Sequence, residues 1–173
     1  MSTTYDPIAR AFHWVIVALL AAQYTVGSIM PHIGRKTVDE TWVAWHFDIG
    51  ALILLVMMLR LAWRLADPVL PPPLERWEYL LSRFTHVMLY GLVLAMTILG
   101  WIAANAHGFD VYLLWLKLPA LAPNHSEWGH ECGDIHNVLV YVLLGFIILH
   151  VAGALYHRFI KRDNVLARML PGA

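Results

Sequence analysis

HNVLVYVLLGFIILH, residues 136–150, is a strongly apolar stretch with a histidine at each end. The two imidazoles are 14 positions apart. At about 100° per residue, 14 steps return to nearly the same helix face, and at ~1.5 Å per residue they cover ~21 Å. The run continues through VAGALYH to His157. The segment therefore reads as one membrane-length helix with two rings stacked on one face, near its opposite ends.

The rest of the chain has the same character. Of 173 residues, 60% are hydrophobic and 14% charged, and the mean hydropathy is +0.60. A soluble domain of this size carries far more charge. Four stretches are long enough for a ~30 Å hydrocarbon core, at about residues 12–30, 43–65, 84–104 and 134–157. They consume most of the chain, which predicts an all-α, integral membrane four-helix bundle over residues 1–173 as a single domain. The first span is too long for a signal-peptide core and has no small-residue cleavage site behind it. PVLPPP at Pro68–Pro73 cannot be helical and marks the connection between spans two and three.

Charge sets the expected orientation. Arg10, Arg60, Arg64, Arg76, Arg83, Arg158, Lys161, Arg162 and Arg168 fall at one set of ends. The first and third connections hold only Arg35, Lys36 and Lys117. The positive-inside rule then puts both termini in the cytoplasm, with those connections periplasmic in a Gram-negative inner membrane. The eight tryptophans gather near span ends, as interfacial belts do. Zero net charge gives no argument for nucleic acid. One cysteine, Cys132, excludes an internal disulfide, and the absence of CxxCH removes the expectation of covalent haem attachment.

The histidines then fall at matched depths. His13 opens span one on the cytoplasmic side, level with His150. His46 opens span two on the outer side, level with His136. His86, early in span three, competes for the inner position but ranks behind His13. A lone histidine in an apolar segment is often a packing residue, but intramembrane ionisable groups are costly and by default functional. Four at two depths are not explained by packing. Zinc and copper sites want three or four clustered ligands, whereas two separated two-His sites suit two bis-His haems b. Gly50, Gly91, Gly100, Gly145 and Gly153 suit close approach of either helices or porphyrin faces.

Other segments are less specific. HSEWGHECGDIH, residues 125–136, matches no standard zinc pattern; if the last helix starts before Asp134, His130 caps the outer pocket. Residues 109–118, FDVYLLWLKL, are too short to span and lie in the outer interface or over the outer pocket. The tail from Asp163 reads as a short helix with Leu166, Met169 and Leu170 toward the membrane. For a quinone, the cytoplasmic end offers Arg10, Arg83, His86 and His157, with Asp163 and Asn164. His157 shares the His150 face and either serves the quinone with His86 or binds a propionate or lipid headgroup.

The chain resembles the bacterial cytochrome b561 family over nearly its whole length. The resemblance rests on RAFHW (10–14), AWHFDIG (44–50), MLRLAWR (58–64), THVMLYG (85–91), DIHNVL (134–139), LHVAGALYH (149–157) and KRDNVLARMLP (161–171). The last-helix layout is also similar to the longer cytochrome b subunits of formate dehydrogenase and nickel–iron hydrogenase. The family resemblance implies electron transfer between an outer donor and the quinone pool. In its best-characterised form, two superoxide ions each give up one electron and, through two haems, ubiquinone becomes ubiquinol. Arg35, Lys36 and Lys117 are then the outer cations that draw superoxide in, although Asp39, Glu40, Asp110, Glu127 and Glu131 leave the outer surface without a clear cationic excess. Two other functions stay open: a quinol-oxidising carrier serving a small periplasmic redox partner, and a non-redox haem-binding assembly or sensor module.

Overall fold

The computed structural model describes residues 5–33 and 41–170. Four helices dominate: α1 (Pro7–Ile29), α2 (Thr41–Ala66), α3 (Arg76–Ala106) and α4 (Glu127–Tyr156). Each is long and apolar enough to cross a membrane. The helices overrun the apolar spans, α3 and α4 most of all, because polar first turns extend them at one end. Asp6 caps α1 by accepting from the Ala9 N–H at 2.8 Å, with Pro7 at the first helical position. Behind the proline-rich connection, the Glu75 N–H donates to Glu78 Oε2 at 3.2 Å in the first turn of α3.

The helices pack in sequence, α1 on α2, α2 on α3 and α3 on α4. The connection pattern brings the start of α1 and the end of α4 to one end of the bundle, the tail end, where Arg10 meets Leu170. The opposite end carries a small antiparallel hairpin, β1 (Tyr112–Leu113) and β2 (Leu116–Lys117), with Tyr112 paired to Lys117. The mid-bundle core is formed by Ile16, Ile53, Met57, Leu92, Val93, Met96 and Leu143. A second cluster of Val43, Phe47, Ala51, Ala104 and Val111 closes the hairpin end. Elsewhere large apolar side chains face outward, among them Tyr141, Leu65, Ile160 and Phe159. That inside-out distribution suits lipid as the surrounding solvent.

One segment takes a shape that the sequence left open, and another differs from the sequence expectation. Residues 109–118 form the hairpin, because buried Asn105 organises the loop: its amide donates to the Phe109 carbonyl at 3.0 Å and its carbonyl accepts from the Leu121 N–H at 2.9 Å. Among its described residues the tail from Asp163 holds a 3₁₀ turn, Ala167–Met169, in place of a helix starting at Asp163. A five-residue π turn, His157–Lys161, ends in left-handed Arg162 (φ 57°) and turns the chain back across α1. There Arg10 donates to the Leu170 carbonyl at 3.0 Å and Trp14 to the Met169 carbonyl at 2.9 Å. Leu166 and Met169 are partly buried by this return, and of the three only Leu170 is exposed.

The end of α3 and the start of α4 meet at Gly129. A Cβ there would lie 2.5 Å from Ala106 Cβ and from Ser126 Oγ. Gly129→Val is expected to destabilise the protein by about 1–3 kcal/mol through overpacking, read as a lower melting temperature in detergent.

Candidate functional site

The helices gather the histidines into two groups at opposite ends of the bundle. At the hairpin end the His46 and His136 ring centres are 6.2 Å apart, inclined at 79°. At the tail end those of His13 and His150 are also 6.2 Å apart, inclined at 70°. His86 approaches His150 more closely, at 5.1 Å, so the tail-end group holds three imidazoles.

The chemistry of these groups fits metal-bound imidazole. A metal holds a ligating imidazole nitrogen about 2 Å away. Two such nitrogens therefore stand about 4 Å apart, with the ring centres a ring radius farther out on each side. The equal separations at the two ends fit that arrangement, and the shorter His86–His150 contact does not. His136 donates through Nδ1 to the Met96 carbonyl at 2.9 Å, which fixes its tautomer and leaves Nε2 as a lone-pair donor. His86 is held likewise, with Nδ1 donating to the Ser82 carbonyl at 2.6 Å. Among the described residues neither His13 nor His150 makes a ring hydrogen bond.

At the hairpin end a cavity of about 550 Å³ surrounds the ring pair. Glycine makes part of the space. A Cβ on Gly100 would lie 3.1 Å from His136 Cε1, and one on Gly27 3.4 Å from His46 Cε1. Gly50 lines the same cavity, whereas a Cβ on Gly91, Gly145 or Gly153 would meet open space. Gln23 reaches His46, its amide nitrogen 3.1 Å from both the ring Nε2 and the backbone carbonyl. Its Oε1 and His46 Nδ1 are buried without partners among the described residues. Sequence reasoning passed over Gln23, although a lone amide midway through an apolar span was a visible signal.

The hairpin-end mouth is lined by His107, His130 and Asp134. Because α4 starts at Glu127, His130 sits in its first turn, with its ring 4.3 Å from that of His107. Among the described residues no three His, Cys, Asp or Glu side chains form a group able to hold a metal ion. Lys117 pairs with Asp110 at 2.6 Å on the hairpin, and this hydrogen bond raises the ammonium above its ordinary range. Arg35 and Lys36 lie outside the described residues.

At the tail end the His157 ring donates from Nδ1 to Asp163 Oδ2 at 2.7 Å. Partial burial opposes ionisation of Asp163, but hydrogen bonds from the Val165 N–H and His157 outweigh it and hold the carboxyl below its ordinary range. Arg10 is engaged by the tail carbonyl of Leu170, and Arg83 donates to the Tyr79 hydroxyl at 3.2 Å.

The family model of prokaryotic cytochrome b561 matches residues 4–172. The chain belongs to the prokaryotic cytochrome b561 family. It is 28% identical over 174 residues to cytochrome b561 homolog 2 of Escherichia coli (strain K12), covering 96% of this chain and 90% of the relative. It is 26% identical over 164 residues to cytochrome b561 homolog 1 of the same organism, covering 92% of each. A probable superoxide oxidase, CybB, of Yersinia pestis is 25% identical over 179 residues, covering 99% and 98%. Membership makes this cytochrome a multi-pass membrane electron carrier of a family that binds haem b.

Proposed function

We propose that this cytochrome oxidises superoxide at the hairpin end and reduces ubiquinone at the tail end. The observation that carries this reading is the pair of matched imidazole couples at opposite ends of one bundle. The near full-length likeness to a probable superoxide oxidase supports the choice of donor. The Lys and Arg asymmetry favours a periplasmic hairpin end and cytoplasmic termini in a bacterial inner membrane. His46 with His136, and His13 with His150, would hold one haem b each, with His86 as the alternative partner of His150. Bound haem supplies one-electron chemistry that no side chain of this chain provides.

The side chains have separate tasks. Two superoxide ions each lose an electron and leave as dioxygen; one ubiquinone gains two electrons and two protons. The cations Arg35, Lys36 and Lys117 would attract the anion, although Asp110 offsets the Lys117 charge. At the quinone end, Asp163 orients the His157 ring by accepting from Nδ1, which directs Nε2 as the proton-carrying atom. Arg10, Arg83 and His86 frame the same end.

Asp163→Asn is expected to retain the haem spectrum and slow quinone reduction by about a hundredfold, the lower end of the ~10²–10⁴ range for a positioned acid–base group. An unchanged rate would remove the dyad from the quinone site. The sign of the acid response also follows. A depressed carboxyl contributes stability that is fully present above its unfolded pKa, about 3.9, and is lost as pH falls through its lower folded value. The dyad therefore persists through the weakly acidic range.

Stopped flow tests the function itself. Superoxide should reduce the b-haem band rapidly, and ubiquinone should reoxidise it. Lys117→Glu should slow the first phase in a salt-dependent way. Haems that stay oxidised with superoxide but are reduced by ubiquinol would instead establish the quinol-oxidising carrier. The exposed hairpin tip, with Trp115 88% accessible, favours that second reading as a landing for a small periplasmic redox partner.

A further inference from the structure

Arg60 and Arg64 belong to no part of the function argued so far. They lie near the tail end of α2, one turn apart on the same face, where two like charges repel. Arg60 donates from Nε to the Tyr90 hydroxyl at 2.9 Å, and its guanidinium carbon lies 5.7 Å from the centre of that ring. Tyr90 is one turn beyond His86 on α3. The Arg64 guanidinium lies over Tyr5, 5.3 Å from the ring centre. Nη1 of each arginine is buried without a hydrogen-bond partner among the described residues. Arg60 is also close enough for its charge to act on His13, His86 and His150.

Both arginines are half-buried, guanidinium is always charged, and a buried guanidinium nitrogen without a partner is unfavourable. Two of them, on one helix face beside the inner imidazoles, call for an anion. Their planar donor forks match a carboxylate or a phosphate. A haem bound beside them brings carboxylates of its own. Arg64 also donates from Nη2 to the Val69 carbonyl at 3.5 Å, but Arg60 and Arg64 each keep a buried, unpartnered Nη1 among the described residues, which Arg10 and Arg83 do not.

We propose that Arg60 and Arg64 form a carboxylate clamp for a propionate of the haem held by the tail-end imidazoles. The proposal rests on that haem assignment. Tyr90 is a positioning residue that aims Arg60 through its Nε bond. The same forks would also take a lipid phosphate, and the test separates the two sources.

The test is a spectroelectrochemical titration of the holoprotein in nanodiscs, in phosphatidylcholine alone and with added phosphatidylglycerol. Losing a positive charge stabilises the oxidised haem, so Arg60→Gln should lower one of two midpoints. The expected size is about tenfold in the one-electron equilibrium, ~59 mV, in both lipids. That midpoint should also gain a pH dependence in the weakly acidic range as the freed carboxylate titrates. Arg60→Lys should restore most of the midpoint, and Tyr90→Phe should move it far less. If Arg60→Gln does not accumulate, Arg64→Gln carries the test with the same sign.

Unmoved midpoints, a shift without new pH dependence, or a Tyr90→Phe shift equal to that of Arg60→Gln would each overturn the clamp. A shift confined to phosphatidylglycerol would assign the site to lipid phosphate and overturn it too. A wild-type protein with a single haem wave would overturn the two-haem assignment, whereas two waves indifferent to the arginines would overturn the clamp alone.

Discussion

His150→Ala is expected to remove one of two haems and to stop superoxide-driven quinone reduction, and His136→Ala to remove the other with the same loss of turnover. The two rings share one helix, 14 residues apart, yet serve opposite ends of the bundle. Each substitution should therefore halve the haem content without emptying the other site. Pyridine haemochromogen analysis of the purified variants measures this directly. Losing both haems in either variant would mean that α4 folds only when fully loaded. Losing neither would remove these residues from the ligand set. The tail-end partner is decided the same way. The 6.2 Å spacing of His13 and His150 matches that of His46 and His136, and the 5.1 Å contact of His86 does not. His13→Ala should thus lose the tail-end haem, while His86→Ala should keep it. The opposite result would make His86 the ligand.

Much of this arrangement was legible in the chain. Membrane spans announce themselves through long apolar runs, because unsatisfied backbone groups cannot sit in lipid. The pairing of His13 with His150 and of His46 with His136 followed from helix rise and alternating direction alone. What the sequence hid depends on contacts between distant residues. Residues 109–118 read as lying in the outer interface or over the outer pocket, but nothing local shows that Asn105 supplies the hydrogen bonds that shape them into a hairpin there, with Val111 buried against Phe47. The tail pattern suggests a helix on the membrane, but the left-handed residue Arg162 and bonds from Arg10 and Trp14 return it to α1. Arg60 counted only as a positive-inside charge, because nothing local reveals that Tyr90 fixes it and that its Nη1 is buried. Closeness of His86 to His150 was hidden too, since it depends on how α3 rotates against α4.

Gly100→Val is expected to cost the hairpin-end haem while leaving the tail-end haem in place. Gly100 lies on α3 opposite His136, and even a methyl would come within 3.1 Å of the His136 ring. Ala already crowds the ring. Val adds two methyl groups on a stiff, β-branched stem inside a close-packed span. His136 cannot simply retreat, because its Nδ1 is tied to the Met96 carbonyl on the same helix as Gly100, one turn earlier. Either that hydrogen bond breaks, releasing the tautomer control of Nε2, or the ring swings into the cavity. Both outcomes remove a preorganised ligand. Second-sphere losses of this kind weaken metal binding by roughly 10- to 100-fold, and filling the cavity adds to that. A redox titration should then show one haem wave in place of two, with superoxide no longer reducing the haem that remains. Gly91→Val is the matched control, since a Cβ at Gly91 meets open space on the same helix. Equal haem loss in both variants would attribute the effect to β-branching in α3 and not to the His136 contact.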